Sequence, residues 1–224
     1  SHLTGTLVPS LSGIVAIAAG ASFSLALKDD GTVWGWGENN LGQLGDGTST
    51  QRLTPVQVAT LANIVAIAAG DHHGAALRMD GTVWTWGRNH RGQLGDGTFT
   101  TRFAPVPVTG LGNDVATLAA ADDHTLVSKT DGTVWGFGAN AFGTLGNGTQ
   151  TTSQTFPVQT SLMPALMAGV GAGRDVSFAV SAPGGLWAWG ANGSGQLGDG
   201  TTANRLEPVQ TIASVRQVRG GALP

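Results

Sequence analysis

The sequence DGTVWGWGEN at residues 30–39 decides the fold, because close variants of it return three more times along the chain. The first tryptophan of each copy recurs about every 50 residues, as Trp34, Trp84, Trp135 and Trp187. A second block, GQLGDGT from Gly42, recurs at the same spacing. These copies divide one domain, residues 1–224, into repeat units 14–63, 64–114, 115–166 and 167–213, with partial units 1–13 and 214–224. Such a period indicates a solenoid or a propeller, whose units bury their faces against one another.

Each unit carries signals for four short strands, which are clearest in the second one. Strands are predicted at 55–58, 64–69, 73–79 and 82–86, with Pro55 at the start of its strand, where a missing donor does no harm. Asp80-Gly81 between two of these runs predicts a type I′ hairpin turn. Helical periodicity is almost absent. The sequence therefore predicts an all-β fold, a propeller of four-stranded blades or a partial propeller completed by oligomerisation.

The order of these motifs resembles the regulator-of-chromosome-condensation repeat. The shared pattern is Gly-x-x-His, an apolar strand, DGxVWxWGxN, then GQLGDG and a later Pro-x-x-Val. The resemblance implies a propeller, seven-bladed in the family, whereas this sequence supplies four units and two pieces. It also implies family partners that include chromatin and a small nuclear GTPase, for which one member is an exchange factor. A plant ultraviolet photoreceptor is a further member.

Composition excludes several classes of function. The chain has no Cys, which rules out disulfides and Cys-ligated metal sites. Its 11 basic residues against 14 acidic ones give a net charge of -3, so we expect no nucleic-acid partner. No apolar run is long enough to cross a membrane. The motif Gly-x-Ser-x-Gly does not occur, and no Ser, His and Asp set recurs, so neither an enzyme nor a cofactor is predicted.

The residues that recur in every unit are expected to be structural. One aromatic per unit should pack between blades, and a leucine should lie beside it. A recurring asparagine suits a left-handed or backbone-capping position. The three sets are Trp36, Trp86, Phe137 and Trp189; Leu44, Leu94, Leu145 and Leu197; and Asn39, Asn89, Asn140 and Asn192. Asp46, Asp96 and Asp199 with Asn147 are expected in turns, and Arg52, Arg102 and Arg205 with Ser153 should pair with nearby loops.

Function is expected where the units differ, and the first such place follows the glycine that ends the apolar strand. The second and third units are acidic there and contain histidine, and the fourth is mixed: Asp71, His72, Asp122, Asp123, Arg174 and Asp175. His73 and His124 match the family's histidine, and a satisfied hydrogen bond at a strand start is their expected role. The acidic patch could hold a divalent cation or a basic partner peptide. No metal site is predicted.

The second variable place follows the Trp-Gly of each unit. It is cationic in the second unit and apolar in the third, as a specific protein-binding surface would be: Glu38, Arg88, His90, Arg91 and Phe142. Phe99 and Phe103 are further candidate anchors.

These observations predict a noncatalytic protein-interaction scaffold. One alternative is a self-assembling propeller fragment, or a duplicated or engineered repeat protein, that closes its ring as a homodimer. A second alternative, given by the family resemblance alone, is a guanine-nucleotide exchange factor for a small GTPase. A third is a small-molecule or glycan site at the mouth of the channel.

Overall fold

The repeats fold into four sheets of four antiparallel strands, each built from consecutive strands. The structure is a computed structural model that describes Val8, residues 11–161, Met163 and residues 166–212. The two partial units at 1–13 and 214–224 lie almost entirely outside the described residues. The all-β propeller architecture predicted from the sequence is confirmed.

The strands follow one another in the same order in every blade. Blade 1 contains β1 (Ile14–Ala19), β2 (Phe23–Lys28), β3 (Val33–Gly37) and β4 (Arg52–Gln57). Blade 2 contains β5 (Ile64–Ala69), β6 (His73–Arg78), β7 (Val83–Gly87) and β8 (Arg102–Pro107). Blade 3 contains β9 (Val115–Ala121), β10 (His124–Lys129), β11 (Val134–Ala139) and β12 (Ser153–Gln159). Blade 4 contains β13 (Met167–Gly173), β14 (Val176–Ser181), β15 (Leu186–Gly190) and β16 (Arg205–Ile212).

The first strand of each blade is the innermost one, since β1 contacts β5, β5 contacts β9 and β9 contacts β13. The last strand of each blade is the outermost, because it pairs only with the third.

Within the described part of the chain, no helix is long and apolar enough to cross a membrane.

The outermost strands differ from the prediction at their prolines. Pro55 lies inside β4, which begins at Arg52, and not at the strand start. Gly35 pairs with Val56 and Gly37 with Arg52, so the ladder is interrupted at the residues between them. The missing proline donor therefore falls in a bulge of an outer strand, where it costs no ladder hydrogen bond.

The Asp-Gly turns also differ from the prediction. Gly31 has a φ of 77°, whereas Asp30 does not have a positive φ, so the turn is not type I′. Lys28 N donates to Thr32 O and Gly31 N to Lys28 O, which makes a three-residue connection with one left-handed glycine. The Asp30 carboxylate accepts hydrogen bonds from Thr32 N and Thr32 Oγ1, and these hold the turn in shape.

The blades are joined by apolar residues that cross from one sheet to the next. In the junction between blades 1 and 2, Trp86 and Ile67 pack on a core that includes Leu25 and Leu44. In the junction between blades 3 and 4, Trp189 packs with Leu126 in the same manner. The core of this molecule therefore lies largely between blades, as expected for repeats that cannot bury their faces alone.

Candidate functional site

The two variable regions of the sequence lie on the same face of the propeller. The turn between the first and second strands and the long loop after the third strand share this face, because neighbouring strands run antiparallel. Backbone hydrogen bonds tie them together in every blade, as from Arg88 N to His72 O at 2.9 Å and from Ala139 N to Asp123 O at 2.8 Å. We call this surface the loop face and the opposite one, which carries the Asp-Gly turns, the hairpin face.

Neighbouring blades are also linked across the loop face. Ala21 N donates to Asp71 O at 3.0 Å, and Asp71 N donates to Asp122 O at 3.2 Å. These bonds fix the turns of blades 1, 2 and 3 in one row, with the turn at Arg174 and Asp175 next in order. The acidic and histidine-containing residues singled out in the sequence thus belong to a continuous surface.

The carboxylates of this row are poorly solvated. Partial burial raises the pKa of Asp122, and the neighbouring charge of Asp71 adds to the effect. Burial and the Asp122 charge likewise raise the pKa values of Asp123 and Asp175. Arg174 is mostly exposed and stands 3.9 Å from Asp122, so it compensates these charges only weakly.

Asp123 has two partners from the preceding blade. Its Oδ1 accepts a hydrogen bond from Gln93 Nε2 at 2.6 Å, and its Oδ2 lies 3.2 Å from His90 Nε2. Burial and the charges of Arg88 and Arg91 lower the pKa of His90 to about 4, so at neutral pH its ring donates as a neutral imidazole. The sequence analysis did not identify Gln93 as a candidate site residue. A signal was present, because a glutamine recurs in the GQLG block as Gln43, Gln93 and Gln196.

The backbone of this face is unusual at two aspartates. Asp122 has a φ of 41° and Asp175 a φ of 55°, which non-glycine residues seldom adopt. Aspartate and asparagine tolerate this left-handed region better than most residues. The turn geometry therefore permits an Asp-to-Asn exchange at either position without backbone change.

The remaining candidates are spread around this row. Arg88 and Glu38 are partly buried, and Arg91 and Phe142 are exposed on the loops after β7 and β11. Phe99 and Phe103 are both exposed, and Phe103 also lies against Gly42 of blade 1, where a Cβ would come within 2.8 Å of the Phe103 ring. In the described part of the chain, no three His, Asp or Glu side chains are arranged to hold a metal ion.

His73 and His124 are fully buried at junctions between blades. His73 Nε2 lies 2.9 Å from Thr125 Oγ1, and His124 Nε2 lies 3.1 Å from Ser177 Oγ. Both hydroxyls already donate to backbone carbonyls, those of Gln93 and Thr144. Each imidazole must therefore be the donor through Nε2, which leaves Nδ1 unprotonated.

The asparagines that recur in every repeat unit hold the long loops in place. Asn89 Oδ1 accepts from Leu94 N, and its Nδ2 donates to Asp96, Thr98 O and Thr100 O. Asn39 and Asn192 make the same set of contacts. Asn140 differs in donating to Asn147 and to the Thr151 hydroxyl. None of the four has a positive φ, so the role is capping of loop backbone and not a left-handed turn.

An ion pair closes the same loop in three blades. Arg102 Nη2 lies 2.8 Å from Asp96 Oδ2, and equivalent pairs join Arg52 to Asp46 and Arg205 to Asp199. Burial opposes ionisation of Asp96, but hydrogen bonds from Thr98 and Arg102 outweigh it and lower the pKa of the carboxyl. In blade 3 the register places Gln154, and not Ser153, at the arginine position, opposite Gly138. Since Asn147 replaces the aspartate there, both charges are absent together.

This correlated exchange predicts the result of a double-mutant cycle. Arg102→Gln alone should lower the free energy of unfolding by about 1–3 kcal/mol, because it leaves a nearly buried carboxylate without its charged donor. Adding Asp96→Asn should recover part of that loss, since blade 3 already carries the neutral pair. Urea unfolding of both variants and of Asp96→Asn measures the coupling. A double variant less stable than Arg102→Gln would contradict the pairing.

Comparison with known proteins agrees with the repeat and the fold. The RCC1-like domain family matches residues 4–223. The probable E3 ubiquitin-protein ligase HERC4 of Homo sapiens is 34% identical over 222 residues, which are 97% of this chain and 16% of that protein. The RCC2 homologue of Danio rerio is 33% identical over 86% of this chain and 29% of its own length. The chain thus spans less than a third of either relative.

Solved structures share the architecture. Prp20p from Saccharomyces cerevisiae superposes with a TM-score of 0.79 at 25% identity, over 92% of this chain and 52% of that one. The repeats, the four-stranded blades and these matches together show that the chain belongs to the RCC1-like domain family.

Proposed function

We propose that this chain is a noncatalytic protein-interaction scaffold whose binding surface is the loop face. One observation carries the proposal: the acidic turns and the cationic and apolar loops lie side by side on that face, where Ala21 N donates to Asp71 O and Asp71 N donates to Asp122 O. On the hairpin face, the turns of blades 1, 2 and 3 instead repeat Asp-Gly-Thr with the same hydrogen bonds at Asp30, Asp80 and Asp131, and the turn of blade 4, at residues 182–185, differs from them. A surface whose side chains vary over a constant backbone suits recognition of a specific partner.

The chemistry of the row favours a cationic segment of a partner protein. The raised pKa values of Asp122, Asp123 and Asp175 arise first from burial and then from mutual repulsion, and a positive charge placed between them would offset the repulsion. The yeast relative Prp20p has been studied for its binding to Gsp1p and histones, and histones are basic proteins. This chain aligns with only 16% of the length of HERC4, the ubiquitin-protein ligase among the relatives.

A lysine- and arginine-rich peptide of about ten residues tests this assignment. We expect Asp122→Asn with Asp175→Asn to weaken its binding by about tenfold at low salt, because two charges are removed while the backbone is kept. Fluorescence anisotropy with a labelled peptide measures the affinity. Asp30→Asn with Asp131→Asn, on the hairpin face, is the matched control. Equal loss in both variants, or no binding by the parent protein, would remove the loop face as a site for basic segments.

Completion of the ring by a second copy is a second candidate, and the exposure of blade 1 favours it. Ile17 is 79% exposed and Leu53 is 88% exposed. At the equivalent positions, Ile67, Val170 and Leu206 are half-buried or buried, and Phe103, the counterpart of Leu53 in blade 2, is 41% exposed. Ile67 and Val170 pack in the cores shared with the preceding blade, and Leu206 lies against Gly143. A homodimer would cover these exposed apolar side chains of blade 1. A solution mass at twice the chain mass of 22.6 kDa, measured by light scattering, is expected on this hypothesis.

A further inference from the structure

Two arginines on the loop face have no carboxylate partner. Within the part of the chain that the structure describes, every other lysine and arginine forms an ion pair, and none of these pairs includes Arg88 or Arg91. Arg88 is nevertheless partly buried, and Arg91 is exposed further along the same loop. A guanidinium withdrawn from water without a counterion is unfavourable, so Arg88 offers a place for an anionic group.

The two arginines lie close to a contact between blades 2 and 3. His90, which stands between them in the sequence, lies with its Nε2 3.2 Å from Asp123 Oδ2, and Gln93 Nε2 donates to Asp123 Oδ1. Burial lowers the pKa of His90 and raises that of Asp123, and the charges of Arg88 and Arg91 lower both pKa values. Both guanidinium groups are therefore near this contact.

The same contact separates the arginines from the acidic part of the loop face. Both oxygens of Asp123 already have partners, so this carboxylate is not free to receive a ligand. The acidic charge available to a partner belongs to Asp122, the preceding residue, and to Asp175 of the next turn. The loop face thus carries an acidic area at Asp122 and Asp175 and a cationic area at Arg88 and Arg91, with Asp123 between them.

A buried nitrogen without a partner lies beside the cationic area. His72 is in the turn of blade 2, and its carbonyl oxygen accepts a hydrogen bond from Arg88 N at 2.9 Å. Its Nδ1 is buried and has no hydrogen-bond partner among the described residues. Because buried polar atoms nearly always have a partner, this nitrogen is a second indication that a ligand group belongs here.

The cationic area is particular to blade 2. At the positions equivalent to Arg88 and Arg91, the other blades carry no cation. These residues are Glu38 and Leu41, Ala139 and Phe142, and Ala191 and Ser194. A partner with charges of both signs would therefore meet its complement in a single register.

This inference rests on the loop face as the binding surface proposed above. We propose that the bound segment of the partner protein carries both charges, with a basic side chain between Asp122 and Asp175 and an acidic side chain paired with Arg88 and Arg91. Complementary charges of both signs fix the position and the direction of a segment, whereas a uniformly basic segment is repelled by the arginines. A mixed-charge segment therefore binds more tightly than a uniformly basic one.

Three peptides of equal length test this inference by fluorescence anisotropy at low salt. The first carries lysines in one half and glutamates in the other, joined by about three glycines that span roughly 10 Å when extended. The second has glutamine in place of glutamate, and the third intersperses the lysines and glutamates of the first. The first is measured in both directions, and we expect its tighter direction to bind about tenfold more tightly than either of the others.

Two charge-matched variants locate the acidic half of the segment. Arg88→Gln with Arg91→Gln should weaken binding of the first peptide about tenfold and leave unchanged or strengthen that of the glutamine peptide, because repulsion of its lysines falls. Lys28→Gln with Arg78→Gln, on the hairpin face, removes the same charge and should change neither affinity. Far-ultraviolet circular dichroism checks the fold of both variants.

The outcomes separate this inference from the proposal on which it rests. Equal weakening of the first two peptides by Arg88→Gln with Arg91→Gln would overturn the cationic area as a site for an acidic side chain. Equal binding of the separated and interspersed peptides by the parent protein would do the same. In both cases, binding of the glutamine peptide would leave the loop face as a site for basic segments. A parent protein that binds none of the three peptides would remove both proposals.

Discussion

Replacing Trp86 with alanine lowers the free energy of unfolding by about 3–5 kcal/mol, which is the largest effect that we expect from a single substitution. The indole is fully buried between blades 1 and 2, and it belongs to the core that joins them. Its loss opens a cavity there and leaves the Gln43 carbonyl without its donor. Urea unfolding followed by far-ultraviolet circular dichroism measures the change.

The equivalent position at another junction of this chain supplies the control for this substitution. Trp86→Phe should cost much less, because Phe137 fills the equivalent place between blades 2 and 3. Phe99→Ala, at an exposed aromatic, should change the free energy of unfolding by less than about 0.5 kcal/mol. If Trp86→Ala were no less stable than Phe99→Ala, packing of Trp86 between the blades would not contribute most to the stability of the fold.

The repeat predicted the architecture because its period, its turn residues and its aromatic spacing all describe one blade. What the pattern could not fix was local register. The bulge at Pro55 and the extra residue that moves Gln154 to the arginine position depend on pairing across β3–β4 and β11–β12, which spacing within one strand does not contain. The prediction of a type I′ turn at Asp30 was wrong for a similar reason, because a type I′ turn and the three-residue loop favour the same residues.

The sequence predicted that the Asp- and His-containing turns of successive blades share one face, but it did not predict which side chains meet there. The sequence singled out Asp122, Asp123 and His90 in two separate regions. Their contact through the loop face, with Gln93 as the additional donor to Asp123, follows from the lengths of β10 and β11 and from the packing of blade 2 on blade 3. Side-chain contacts across a junction are set by neighbouring blades, so a single repeat does not reveal them.

Acid should destabilise this protein well above the pH at which ordinary carboxylates titrate. Burial lowers the pKa of His73 to about 3 and that of His124 to about 4. Nearby charges, from His124 on His73 and from Asp122 on His124, have smaller effects than burial. In the unfolded chain the pKa of histidine is about 6.5. Because each folded imidazole already donates through Nε2, a second proton would have to sit on a buried Nδ1.

The direction of the effect follows from proton uptake. Below pH 6.5 the unfolded chain binds protons at these histidines and the folded chain does not, so stability is fully present above pH 6.5 and falls as the pH decreases towards the folded values. These two groups give a slope of about 2.7 kcal/mol per pH unit at most. His90, whose pKa is also lowered to about 4, acts in the same direction, but its side chain is partly exposed and solvent screens its contribution. The raised pKa values of Asp122, Asp123 and Asp175 act in the opposite direction, since those carboxylates take up protons more readily in the folded chain.

The window from pH 6.5 to 5 separates these contributions, because it lies above most carboxylate titration. We expect the urea midpoint of the parent protein to fall steadily through it, and that of His73→Phe with His124→Phe to change far less. Phenylalanine is a fair replacement, since Phe23 occupies the same position in blade 1 and is buried there. In the double variant, Thr125 and Ser177 still donate to Gln93 O and Thr144 O, so the hydroxyls are not left unsatisfied. Equal slopes in the two proteins would mean that acid acts through the carboxylates, and the junction histidines would then be protonated at no cost to the fold.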